Sequence, residues 1–426
     1  MSRKMSHKKS HVHLSDLAGI SRLTVVATRG IVDLAEALHN NIASSPGIAG
    51  NPVQGHIRAI SKLVYESVRG VTGLVGETTD DVLAQFKPIL NEPSSPKREA
   101  VLAALNGVVG DYLAASNNPL AITMRLRRNG HPLPLERRAL AAALSTRSAA
   151  RVARTPVAHD KLLVMVHGLC MNDLQWTQKG RALESAVTRD LGYTTIHLHY
   201  NSGLHVSTNG RAFADLLEEL LAQWPEALKE FGILAHSMGG LVARSAFHYG
   251  MEAGHAWPRR LQKMIFLGTP HHGAPLERVG NLFNVCLGVS PYTAPFAKLG
   301  QIRSAGITDL RYGNVLDEDW QGRDRFEHAG DLRHPLPLPD GVLSYAIAAN
   351  TGKKLAGIVG DGIVPVASAL GKHEDAEKTL LFAPSRQWVG HGMNHWGLLS
   401  RKEVHEKILN WMGNSKARTR AQSAPK

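Results

Sequence analysis

The chain has 426 residues, 43% of them hydrophobic and 20% charged, more than one ordinary domain of about 100–200 residues needs and ample for a buried core. Only two cysteines occur, Cys170 and Cys286, which excludes a disulfide framework or a CxxC metal pair and favours a reducing compartment. The formal charge of +13 belongs to the flanks: residues 1–155 hold 20 Lys/Arg against 11 Asp/Glu, residues 156–412 hold 25 of each, and residues 413–426 add four basic residues.

Met1 to His13 is basic and His-rich but lacks the apolar stretch of about 7–15 residues that a secretory signal needs, so signal-peptide export is not expected and a cytoplasmic location is. No uncharged apolar run reaches the roughly 20 residues of a membrane span, because Arg29, Asp33, Arg69 and Asp111 interrupt the best candidates. Residues 1–155 read as helices joined by loops such as Ser44-Ser45-Pro46-Gly47. Within them, Ser21-Arg22-Leu23, Arg29-Gly30-Ile31 and Leu34-Ala35 recur as Ser61-Lys62-Leu63, Arg69-Gly70-Val71 and Leu74-Val75. The spacing makes 21–35 and 61–75 two copies of an amphipathic helix with glycine on its packing face. Two readings stand for this region: a duplicated bundle packed on the second half, or a platform for peripheral contact with a membrane or polyester granule.

Eight arginines fall between Arg125 and Arg154, with Glu136 the one acid among them. No aromatic residues interleave with them to stack bases, so nucleic-acid binding is not expected and 125–154 reads as an Arg-rich linker.

From 156 to 412 short apolar runs alternate with helices. The strands are read at Leu162–Val166, Thr194–His199, Phe231–Ala235, Lys263–Leu267, Leu343–Ala348 and Thr379–Phe382, with helices such as Arg211–Trp224 between them. The pattern predicts an α/β fold, a mostly parallel sheet with helices on both faces. A Pro- and Gly-rich insertion at 273–340 is placed as a cap over the site. Residues 413–426 read as a disordered basic tail.

Phe231–Ala235 runs into His236-Ser237-Met238-Gly239-Gly240 and then a helix. That strand, turn and helix form a nucleophile elbow, which lifts a serine above the sheet and tolerates only small residues two before and two after it, here Ala235 and Gly239. Acyl transfer also needs donors for a developing oxyanion. The turn after Leu162–Val166, His167-Gly168-Leu169, offers the N–H of Leu169 to join that of Met238. A triad acid and base should follow in that order. Asp361, in Gly360-Asp361-Gly362, is preferred to Asp340 and Asp375, and His395 to His391.

These segments, with Leu267-Gly268-Thr269-Pro270-His271-His272-Gly273 and His395-Trp396-Gly397-Leu398-Leu399, resemble the lipase/esterase branch of the α/β-hydrolases, including the group similar to GPI inositol-deacylase. The resemblance covers residues 160–412 in family order and departs at Ala235, where the family usually has Gly. It implies the α/β-hydrolase fold and hydrolysis of carboxylic esters, often lipid esters, through an acyl-enzyme, and nothing about residues 1–155. No cofactor is expected. No catalytic metal is expected either, since His197, His199, His271 and His272 lack an HExxH or carboxylate context. Cys170 is expected to be a buried packing residue. Two other readings remain open: a non-catalytic hydrolase-like scaffold that docks on a membrane or granule, and an acyltransferase or polyester depolymerase using the same Ser237, Asp361 and His395.

Overall fold

A computed structural model describes residues 96–145, 159–180, 183–274, 304–324, 330–352, 354–355 and 358–414. The repeated helices at 21–35 and 61–75, Arg147 to Arg154, the centre of the insertion at 275–303 and the tail from 415 lie outside the described residues.

In chain order the described helices are α1 (Pro96–Ala115), α2 (Arg137–Ser145), α3 (Leu183–Leu191), α4 (Val206–Gln223), α5 (Met238–Glu252), α6 (Trp257–Arg260), α7 (Ala305–Asp309), α8 (Val366–Ala369), α9 (Gly397–Ser400) and α10 (Lys402–Gly413). The strands are β1 (Arg125–Arg128), β2 (His131–Pro132), β3 (Lys161–Val166), β4 (Thr194–His199), β5 (Glu230–His236), β6 (Lys263–Leu267), β7 (Leu343–Asn350), β8 (Lys354–Leu355), β9 (Ile358–Val359) and β10 (Gln387–His391).

An eight-stranded sheet runs in the order β10-β7-β6-β5-β3-β4-β1-β2. From β10 to β4 every neighbouring pair is parallel, and the β1-β2 hairpin closes the far edge antiparallel to β4. The inner strands are buried along nearly their whole length because helices cover both faces. Alternate residues therefore divide between two cores. Leu162, Val164, Ile233, Met264 and Phe266 pack with α1, α4 and α5 on one face. Leu163, Met165, Leu234, Ile265 and Ile347 pack with α3 and α10 on the other. The chain leaves β3 for β4 on one side and returns to β5 on the other, so strand order reverses around the carboxyl ends of β3 and β5. In open α/β sheets that reversal is where sites form.

Three elements differ from the sequence reading. Thr379–Phe382 is not a strand: Leu380 and Phe382 are buried, but the segment pairs with no strand of the sheet. The last parallel strand is β10, an edge strand with half-exposed residues, so its sequence lacks the apolar run that marks the inner strands. The Arg-rich stretch is not a linker through 125–145: β1 joins the sheet, Leu126 is buried, and Leu140 and Leu144 of α2 enter the core. Arginine reads as solvated in a sequence, yet here Arg127 is buried in a polar pocket that its partners complete. The described flank from α1 onward thus shares a core with the sheet.

The described ends of the insertion are built into the same face. Asp309 accepts the Val206 N–H at 2.8 Å, Ser304 Oγ donates to Gly107 O at 2.6 Å, and Ser245 Oγ donates to Val315 O at 2.6 Å. Residues 304–324 are thereby fastened to α1, α4 and α5.

Candidate active site

β5 ends at His236, and the chain turns sharply into α5 through Ser237, whose φ of 55° is one that non-glycine residues adopt at a cost. The turn is held because Ser237 N–H donates to Leu267 O at 2.8 Å, at the end of the neighbouring β6. The serine side chain is thus presented at the carboxyl edge of the sheet.

Asp361 follows β7 and β9 in a tight loop in which Gly360 bridges to Pro365. Its Oδ1 accepts the N–H groups of Ile363 and Val364 at 2.9 and 2.7 Å, and its Oδ2 lies 2.7 Å from His395 Nδ1. His395 N–H also donates to Asp361 O at 3.1 Å. With carboxylate oxygens as acceptors, the ring carries its proton on Nδ1 and leaves Nε2 as the acceptor. Nε2 is buried and has no hydrogen-bond partner among the described residues.

Two contacts bring His395 to the elbow. Gly268, the residue after β6, has φ +56°, and a Cβ there would lie 3.0 Å from His395 Cε1. The ring of His236 lies 4.7 Å from that of His395, centroid to centroid, with Nε2 of His236 3.4 Å from His395 O. His236 is fully buried, and burial holds its pKa well below the usual histidine range, so it stays neutral beside His395.

The turn after β3 lies against the same serine: a Cβ on Gly168 would fall 2.9 Å from Ser237 Cβ. His167 anchors this turn from below, with its ring stacked on Tyr200 at 4.4 Å and its carbonyl accepting the Tyr200 hydroxyl at 2.8 Å. Leu169 is buried in the turn, and Met238 is the first residue of α5, so the Met238 N–H has no intrahelical acceptor.

The structure thus brings Asp361 to His395, the turn of Leu169 to Ser237 and Met238, and His395 to Gly268 beside the elbow, while no hydrogen bond joins His395 Nε2 to Ser237 among the described residues. His391 is exposed at the end of β10, and Asp340 and Asp375 are exposed elsewhere. Cys170 is buried, with its N–H bonded to Ser202 Oγ at 3.1 Å. Sequence alone gives His236, Tyr200 and Gly268 no role of their own. The His-Ser pair of the elbow and a tyrosine closing β4 were visible, but their partners are remote in sequence.

This sheet, with a turn at Ser237 between β5 and α5 and a carboxylate–imidazole pair beyond β7, has the arrangement of the α/β-hydrolase fold. Residues 161–330 match the family of the PGAP1-like alpha/beta domain. No curated protein sequence matches the chain. Among solved structures, Bacillus licheniformis lipase BlEst2 in its mature form is 16% identical, over 61% of this chain and 95% of that one, with a TM-score of 0.39. Aspergillus fumigatus lipase B is 12% identical, over 59% and 53%, with a TM-score of 0.36. The thioesterase RedJ of Streptomyces coelicolor is 13% identical, over 63% and 99%, with a TM-score of 0.36.

Proposed function

We propose that the protein is a serine hydrolase that cleaves carboxylic esters with apolar acyl groups, including lipid esters, through an acyl-enzyme on Ser237. The observation that carries this reading is the pairing of a positive-φ serine elbow with an oriented imidazole whose Nε2 has no hydrogen-bond partner among the described residues. His395 Nε2 takes the Ser237 proton as Oγ attacks the ester carbonyl, and Asp361 holds the tautomer and steadies the imidazolium. The N–H groups of Leu169 and Met238 receive the oxyanion, a contribution of about 10²–10³ in rate per donor. The imidazolium then protonates the departing alcohol, and a water activated by the same nitrogen releases the acid.

The test is a panel of p-nitrophenyl esters of increasing acyl length, with a fluorophosphonate probe mapped by peptide sequencing. The probe should attach at Ser237, and Ser237→Ala should lose about 10⁶ in kcat. A folded protein that takes no label and turns over no ester would refute the proposal and return the hydrolase-like scaffold as the better reading. An acyl group moved to an alcohol acceptor in preference to water would make it a transferase with the same three residues.

A further inference from the structure

Arg244 has no part in that chemistry. It lies on α5 seven residues beyond Ser237, about 10 Å further along the axis at the helical rise per residue. It is 4% exposed. Nη2 donates to Leu336 O, Nη1 reaches His271 Nδ1 at 3.5 Å, and Nε has no hydrogen-bond partner among the described residues. No carboxylate pairs with it there. The acid whose field it feels is Asp319, which is already occupied: Oδ2 accepts Val315 and Leu316 N–H at 2.9 and 3.0 Å, and Oδ1 accepts His334 N–H at 3.0 Å. A buried guanidinium without a counterion is costly. Burial, with Arg333 nearby, pushes its pKa down to about 9.

Arg244 lines a narrow cleft with His271, Arg333, His334 and Lys378, whose interior space of about 10 Å³ suits a group the size of one water. The one carboxylate bridging the other cations is Asp331, 2.8 Å from Arg333 Nη2 and 3.5 Å from Lys378 Nζ, and it is also 3.2 Å from His373. Lys378 also lies 3.9 Å from the exposed Asp375, and Arg333 and Lys378 are thus paired while Arg244 is the guanidinium with no carboxylate of its own among the described residues. His271 adds a further donor: its Nδ1 faces Arg244, which puts its proton on Nε2, and that atom is buried without a partner.

We infer that this cleft is an anion site that takes a single halide ion against Arg244 with Arg333 and Lys378 as flanking charges. The anion would complete the unpaired guanidinium with charge-assisted hydrogen bonds. It would also tighten the segment 331–338 onto α5, because the same arginines already hold that segment: Arg244 through Leu336 O, and Arg333 through His271 O at 3.0 Å and Gly313 O at 3.2 Å. The site is separate from the ester-cleaving centre.

A ligand that binds the folded state raises Tm by mass action. The experiment is the thermal unfolding of the full chain at fixed ionic strength and pH, with sodium gluconate replaced stepwise by chloride in one series and by phosphate in another. A saturable rise of Tm with chloride that phosphate does not reproduce supports the inference. Arg244→Met, which keeps the volume and removes the charge, should abolish the response. Lys378→Gln, a milder change on a half-buried side chain, should weaken it several-fold and keeps the test valid where Arg244→Met does not fold. Ser237→Ala should respond as wild type, so that failure of the hydrolase reading leaves this one standing. An equal response to all three salts, or one that Lys378→Gln leaves at wild-type strength, would overturn it.

Discussion

At the scale of single residues, the proposed chemistry depends on two features that act before any substrate arrives: the strained turn that presents Ser237 and the carboxylate that orients His395. Asp361 accepts two backbone N–H groups on one oxygen and the imidazole on the other, so it cannot rotate away from its partner. Replacing it with Asn keeps the volume but offers an amide N–H where the ring needs an acceptor, which favours the wrong tautomer. Asp361→Asn should lower kcat by about 10⁴ with KM little changed, and steady-state kinetics on a short-chain ester measure it. Gly168 offers a subtler test. A methyl group there would meet Ser237 Cβ at 2.9 Å and His236 Nδ1 at 3.4 Å, forcing the turn that carries Leu169 away from the nucleophile. Gly168→Ala should cost about 10² in kcat, the scale of an ångström of misplacement, while fluorophosphonate labelling of Ser237 persists at a reduced rate. Labelling at the wild-type rate would dissociate Leu169 from oxyanion binding. The elbow, the glycine-flanked aspartate and the terminal histidine were legible in the sequence because each is a local pattern at a strand end. His236 and Tyr200 were not, because what makes them matter is a neighbour 159 or 33 residues away.

At the scale of elements, the lesson concerns edges. The inner strands β3, β5, β6 and β7 announce themselves as largely apolar runs because both their faces are covered. β10 and β1 lie at or next to the sheet's rims, and their half-polar sequences carry no such signal. β1 is the clearer case, since three of its four residues are arginine. Arg127 donates to Glu99 of α1 at 2.7 Å and to Gly130 O from Nε at 2.9 Å, and it approaches Asp173 to 3.0 Å off the line of a hydrogen bond. One side chain thereby joins the N-terminal helix, the edge hairpin and the segment that follows the turn of Leu169. Burial raises the pKa of Asp173 and the Arg127 charge opposes that rise, so the carboxylate is retained by its partner. Arg127→Met should destabilise the fold by about 3–5 kcal/mol, the cost of leaving a buried charge unpaired, read as a lower urea midpoint. Asp173→Asn in the same background should recover part of that loss, whereas a purely steric role for Arg127 would leave the double variant no better than the single.

At the scale of the whole molecule, the histidines decide how the fold responds to acid. His167 is held down to about 4, His272 to about 4 and His199 to about 2, in each case chiefly by burial, and His236 and His271 are lowered too. A histidine whose folded pKa lies below its unfolded value of about 6.5 binds fewer protons in the native state than in the unfolded chain. Its contribution is present in full above pH 6.5 and is lost as the pH falls through the interval down to the folded value. Asp173 and Asp309, raised by burial from 3.8, oppose this trend, but two carboxyls face five imidazoles. Stability should therefore be flat above neutrality and fall steeply from pH 6.5 towards 4, with each buried imidazole adding about 1.4 kcal/mol per pH unit. For His167 alone the full interval is worth about 3 kcal/mol. His167→Phe keeps an aromatic ring to stack on Tyr200 and removes the titration, at the loss of the Nδ1 contact to Gly168 O at 2.9 Å. Urea unfolding at half-unit steps of pH should show this variant less stable at pH 7.5 but with a slope below pH 6 shallower by about one proton. Parallel curves for variant and wild type would mean that His167 is protonated alike in both states, and that the acid sensitivity of the fold lies with the histidines under the 331–338 segment instead.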